Sequence, residues 1–249
     1  MTKAKILSFT KPASKAELPT VYSSVRDLKQ PDINLSAELK LNARLKMEGI
    51  YFLQQIPNNS IPCVFFDPQY RGVLDYLSYG NEGENRGRER IALVQMNDEK
   101  IREFIVEIDR ILIASGHLFL WVDKFHLAQG ISHWYTDTSL DVVDFIAWNK
   151  DKMGMGYRTR RYSEYLIVLQ KKPKRAKGVW KIHNIPDIWT EKVNNITGIH
   201  PKPIGLQGEL IEAVTNSGDI VVDPAAGSFS ILEACKARGR NFLGCDLRG

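Results

Sequence analysis

The sequence predicts an α/β protein built on a doubly wound, mostly parallel sheet. Two observations point there. Apolar runs such as Val64-Phe65-Phe66 and Leu118-Phe119-Leu120 read as buried strands, and they alternate with segments of helical periodicity. Three of these strands also run into a carboxylate, at Asp67, Asp223 and Asp246. In an open α/β sheet the carboxyl ends of the strands are where ligands bind.

Taken in order, residues 1–40 read as an N-terminal arm, weakly patterned up to residue 33, with Leu39, Leu41 and Leu45 spaced for a helix at its end. A short strand at 45–47 stops at Glu48-Gly49, a helix follows over 50–56, and Pro57-Asn58-Asn59-Ser60 is a turn. Residues 63–66 form the first clear buried strand. Residues 71–90 hold four glycines and no periodicity, and a loop of that length is usually functional. Ile101, Ile105, Ile108, Ile111 and Leu112 mark an amphipathic helix over 98–114, capped by Asp98 and stopped by Ser115-Gly116. Strands follow at 117–122, 142–148 and 165–169, with a short helix at 125–130. The segment 171–199 is basic and then irregular. A helix at 209–216, a strand at 219–222, a helix at 231–237 and a strand at 241–245 complete the chain.

Length and composition admit one large domain or two small ones. The chain has 249 residues, 43% apolar and 25% charged, as in an ordinary globular protein. No apolar run approaches a membrane helix, so no membrane partner is expected. The start, Met1-Thr2-Lys3-Ala4-Lys5, has no apolar core behind it, which argues against a secretory signal. Cys63, Cys235 and Cys245 form no pair with metal spacing, nor do the five histidines, so no metal is expected. The thiols read as reduced and buried in a cytoplasmic protein. The net charge of +5 is unevenly placed: residues 150–181 carry eleven Lys/Arg against Asp151 and Glu164, a local +9. That stretch, interleaved with Tyr157, Tyr162 and Trp180, suggests a polyanion partner, although a solvated basic face is the simpler account of any one run.

Two stretches carry candidate chemistry. In Asp67-Pro68-Gln69-Tyr70 a carboxylate and a backbone carbonyl can accept hydrogen bonds from an amino group, and the tyrosine ring can stack on a flat base. A strand followed by an ordinary turn explains the same four residues. In Asp223-Pro224-Ala225-Ala226-Gly227-Ser228-Phe229-Ser230, small residues between a strand and a helix let backbone approach a ligand. Asp246, at the end of the next strand, is placed to accept both ribose hydroxyls of a nucleoside. The lack of GxGxxG argues against a dinucleotide.

Together these stretches resemble the amino-group DNA methyltransferases that use S-adenosyl-L-methionine. Their marks are (D/N/S)-P-P-(Y/F/W) and a cofactor motif like D-P-F-x-G-S-G. The catalytic motif comes first here, the order of the circularly permuted β-type class. The resemblance covers roughly residues 43–246, helped by His200-Pro201-Lys202-Pro203, by Glu48 at the place of a family acid, and by the 239–246 run. Gln69 replaces a proline and Phe229 a glycine, and the second change is expected to narrow the space beside the cofactor.

The resemblance implies a seven-stranded, circularly permuted Rossmann-like methyltransferase sheet. Its catalytic half would be 41–170, its target-recognition insert 171–199 and its cofactor-binding half 200–249. It implies transfer to adenine N6 in duplex DNA after the base is flipped out. Asp67, Pro68 and Tyr70 would be catalytic, and Glu48, Lys202, Asp223, Pro224, Ala225, Gly227, Ser228 and Asp246 would bind the cofactor. Arg71, Arg158, Arg160, Arg161, Lys171, Lys172, Lys174 and Arg175 are the expected nucleic-acid contacts, on loops flanking the carboxyl edge around Asp67. Partners would be double-stranded DNA, a second copy in a homodimer and a cognate restriction endonuclease, in a bacterial or phage setting. Asp67 favours adenine over cytosine N4. An RNA or protein amino-methyltransferase, a catalytically dead nucleic-acid-binding module and a structural partner subunit are the rival readings. Pro62-Cys63 also matches the nucleophile dipeptide of C5-cytosine enzymes, but it lies before its strand and reads as core.

Overall fold

Eight strands make up the sheet in the computed structural model, which describes residues 28–69, 95–154, 158–192 and 202–249. They are β1 (Arg44–Lys46), β2 (Ile61–Phe66), β3 (Leu112–Val122), β4 (Leu140–Gly154), β5 (Arg161–Lys171), β6 (Ile188–Thr190), β7 (Ile220–Asp223) and β8 (Asn241–Asp246). The helices are α1 (Gly49–Gln54), α2 (Asp98–Ile111), α3 (Lys124–Gln129), α4 (Ser132–Tyr135), α5 (Ile204–Val214) and α6 (Ser230–Ala237). The spatial order is β1-β8-β7-β2-β3-β5-β4-β6. The first five of these run parallel, β5 is antiparallel to both its neighbours, and β6 is parallel to β4. The last two strands in the chain thus sit between the first two, the permuted arrangement expected. The eighth strand, β6, goes beyond the seven anticipated.

Period-two alternation explains why the central strands are apolar throughout. Val64 and Phe66 of β2, Leu118 and Leu120 of β3 and Val222 of β7 pack under α1 and α2. Cys63, Phe65, Phe119, Trp121 and Val221 face the other way, against α5 and α6. Both faces are therefore covered, as double winding requires.

Several boundaries differ from the sequence reading, each for a local reason. No helix forms over 36–45: Leu39 closes a turn on Ser36, and Asn42, at φ 58°, ties itself to the backbone of Phe242 through both its N–H and its side chain. The cap of α2 is Asn97, whose side chain accepts from Lys100 N at 2.8 Å, not Asp98. That helix ends at Ile111 rather than 114 because Asn59, Ser60 and Lys171 take the carbonyls of its last turn and of Leu112. Residues 28–40 form no helix or strand of their own but are fastened to the domain, since Gln30 bonds to both Ser60 and Ile220 and Leu28 is buried. Residues 171–192, the described part of the expected recognition insert, pack onto the domain: Trp180 and Trp189 lie against the second core and β6 extends the sheet. The calls on 1–27, on the 71–90 loop and on Tyr70 and Arg71 lie outside the described residues.

Candidate active site

Along the carboxyl edge, neighbouring strands deliver their terminal groups in a row. Glu48 follows β1, Asp246 ends β8, Asp223 ends β7 and Asp67 follows β2. Four acidic side chains on four adjacent strands thus gather where the parallel strands all point.

The cofactor half is built by close backbone approach. A Cβ on Gly49 would stand 2.6 Å from Pro224 O, so glycine there lets the start of α1 meet the turn after β7. Gly227 adopts φ +50° with open space where a Cβ would be, and its N–H points to Asp246 Oδ2 at 3.3 Å. The N–H of Ala225 donates to Asp223 Oδ1 at 3.1 Å. Burial pushes the Asp223 carboxyl up to about 8, against that hydrogen bond and with help from Asp67 and Asp246. Glu48 accepts from Tyr51 N at 2.8 Å and faces Lys100 at 3.5 Å. The fit to a nucleoside is good: Glu48 and Asp246 end adjacent strands, and the small residues Ala225, Gly227 and Ser228 leave backbone accessible between them.

Phe229 occupies the left-handed region, φ 59°, at the cap of α6. A glycine is the usual occupant of such a position. Its ring is 1% exposed, edge-on to Phe242 at 6.0 Å and under the Arg44 guanidinium at 5.2 Å. The ring is therefore spent on the second core, which corrects the expectation that it narrows the cofactor side.

A second cluster centres on Asp67. Lys202, just before α5, reaches Asp67 Oδ2 at 3.0 Å and Glu164 Oε2 at 2.8 Å, and lies 4.8 Å from the Trp121 ring centroid. Lys150 closes on Glu164 Oε1 at 3.2 Å. Burial opposes the charge on Lys202, but Asp67 and Glu164 outweigh it and hold the ammonium above its ordinary range. Burial would likewise raise the Glu164 carboxyl, yet Lys202 and Lys150 hold it down at about 2. Lys202, expected on the cofactor, therefore stands beside Asp67 rather than beside Asp246. Glu164 was not among the sequence candidates. Its signal was weak: one of two acids in a stretch of eleven bases, on the strand face shared with Leu166 and Val168. Met96 N donates to Gln69 O at 2.7 Å, so the chain leaves and re-enters the described fold at this edge.

The basic residues divide between two edges. Arg158 and Arg160 are exposed between β4 and β5, at the same edge as Asp67. Arg161 starts β5, with its guanidinium 6.0 Å from the Phe125 ring. Lys171, Lys172, Lys174 and Arg175 follow the other end of β5, which pairs with the start of β4 and runs antiparallel to β3. They therefore lie at the amino edge, away from Asp67, contrary to expectation. The Lys171 ammonium is occupied by Asp109 O, Leu112 O and Asn59 Oδ1 at 2.5, 2.8 and 2.9 Å. Lys172 and Lys174 both pair with Asp141, at 3.8 and 3.3 Å.

Cys63 is fully buried among the second core residues, and burial pushes its thiol well up. A buried thiol of raised pKa is not a nucleophile, which removes the C5 alternative.

Comparison with known proteins places this edge in context. The DNA methylase family profile matches residues 61–248. The type II methyltransferase M.HhaII of Haemophilus parahaemolyticus is 56% identical over 83% of this chain and 91% of its own. Among solved structures, the cytosine-N4-specific PvuII DNA methyltransferase aligns at a TM-score of 0.63 and 13% identity, over 82% of this chain and 81% of that one. The M1.HpyAVI–SAM complex aligns at 0.54 and 20%, over 79% and 85%. At such identities the two structures share the fold with this chain and nothing finer.

Proposed function

This chain belongs to the N6/N4 DNA methylase family, and we propose that it methylates the exocyclic N6 of adenine in duplex DNA with S-adenosyl-L-methionine as donor. One observation carries the reading: Asp67, the amino-group acceptor, stands at the end of β2, next along the edge to Asp223, Asp246 and the small-residue turn fitted to a nucleoside. When bound, S-adenosyl-L-methionine supplies an electrophilic methyl carbon on a positively charged sulfur. Asp67 and the Pro68 carbonyl accept hydrogen bonds from the base amino group, so the nitrogen lone pair points away from them toward that methyl. The Asp67 carboxylate also stands ready to receive the proton shed by the methylated nitrogen. Glu48 and Asp246 hold ribose hydroxyls. The amino nitrogen is out of reach inside the helix, so the base is flipped out first.

The fold is shared with a cytosine-N4-specific enzyme, so the choice of base rests on Asp67 opening the motif. In this reading the enzyme works in the cytoplasm of a bacterium or on phage DNA, as the modification half of a restriction–modification pair, and a second copy of the chain is its partner. Incubation with duplex DNA and labelled donor, followed by nucleoside mass spectrometry, tests it. N6-methyladenine is the expected product; N4-methylcytosine, or label in RNA or protein only, refutes it.

A further inference from the structure

A row of alternating charge crosses the carboxyl edge on one face of the sheet. It runs from Asp67 after β2, through Lys202 above Trp121 of β3, to Glu164 of β5 and Lys150 of β4, with contacts of 3.0, 2.8 and 3.2 Å. We infer that Glu164 is a positioning residue for methyl transfer, acting through Lys202 on Asp67. The inference rests on Asp67 being the acceptor for the target amino group.

A lone lysine would hold Asp67 poorly. Four rotatable bonds leave an ammonium mobile, and an exposed pair of this kind fixes little geometry. Lys202 is held at both sides: two of its three donor positions go to Asp67 and Glu164, and the indole of Trp121 lies beneath. Glu164 is itself anchored, paired in register with Trp148 of β4 and bound by Lys150. The rigidity of the β4–β5 ladder thus reaches a carboxylate that would otherwise stand at a strand end. Glu164 also divides the cation. A carboxylate wholly neutralised by one lysine is a weaker acceptor; sharing Lys202 leaves negative charge on Asp67 for the amino group. Asp223, which burial keeps protonated, and farther along Asp246 lie near Asp67 on the same edge. The Lys202 ammonium, at 3.0 Å, sets a positive charge directly against Asp67.

The test uses the full chain with duplex DNA. Glu164→Gln keeps the shape and a hydrogen-bond acceptor but removes the charge. Loosened aim at the reacting nitrogen should lower kcat about 10–100-fold, with Kd for donor and DNA changed by less than about twofold. Lys202→Met is the second variant and decides the matter if the first fails to fold. The acid limb of its kcat profile should move to higher pH, because the cation beside Asp67 is gone, again with donor Kd unchanged. Asp67→Ala is the control on the underlying reading. If Asp67→Ala is inactive while Glu164→Gln turns over at the wild-type rate, Glu164 has no positioning role. If Lys202→Met weakens donor binding and leaves kcat and its pH profile alone, Lys202 is a cofactor ligand and the inference fails. An active Asp67→Ala overturns the assignment of the site itself.

Discussion

Replacing Arg158 and Arg160 together by alanine should flatten the salt dependence of DNA binding, whereas replacing Lys172 and Lys174 together should not. Both pairs remove two positive charges from the same basic stretch, so net charge alone predicts no difference. Their placement does. Arg158 and Arg160 are exposed beside the β4–β5 turn, at the edge that carries Asp67. Lys172 and Lys174 lie at the opposite edge and share Asp141 as a partner. Each phosphate contact contributes about 0.9 to the slope of log affinity against log salt, so the arginine pair should reduce it by roughly 1.8. Over a fourfold rise in salt, such as 50 to 200 mM, that difference is roughly twelvefold in relative affinity. Fluorescence anisotropy of a labelled duplex, titrated at several potassium chloride concentrations, reads the slope directly. An equal flattening in the lysine pair, or none in the arginine pair, would show that DNA does not follow the carboxyl edge.

Three further outcomes follow from the packing and charge. Phe229→Gly relieves a left-handed residue, worth about 1–2 kcal/mol, but empties a core site worth about 3–5 kcal/mol, so it should destabilise by roughly 1–4 kcal/mol. Phe229→Ala keeps the strain and should unfold below Phe229→Gly in calorimetry, reversing the usual order of these residues in helices; the opposite order would refute the strain. Asp223 sits at about 8 when folded against 3.8 as the unperturbed value, so the folded form stays protonated while the unfolded chain ionises. A raised carboxyl pKa makes stability fall as pH rises from about 4 through about 8. The stability gap between Asp223→Asn and wild type, followed by urea denaturation, should therefore widen over that window and level off above it; a constant gap would refute the shift. Lys171→Met should cost about 1–3 kcal/mol through the carbonyls it leaves unmet, with DNA affinity unchanged. Weaker DNA binding at full stability would return Lys171 to the interface.

Much of this fold is legible in short windows of sequence. The apolar runs of β2, β3, β7 and β8, the amphipathic spacing of α2 and the acids at strand ends are all local signals. They needed only side-chain period and turn chemistry, and Asp67, Asp223 and Asp246 duly fall on neighbouring strands. Strand direction is different. Nothing within residues 161–171 states whether that strand runs with or against β3, because a strand buried on both faces looks the same either way. The ladder decides: β5 runs antiparallel, so Arg161 is delivered to the edge that carries Asp67 and Lys171 to the opposite one. The Lys202–Glu164 contact is hidden for the same kind of reason, since its partners are 38 residues apart and meet only because the fold sets Lys202, just before α5, over Trp121 of β3. Composition placed positive charge in the middle of the chain. Only the pairing of strands, a non-local balance of hydrogen bonds and packing, decided which of those charges share an edge with Asp67, Asp223 and Asp246.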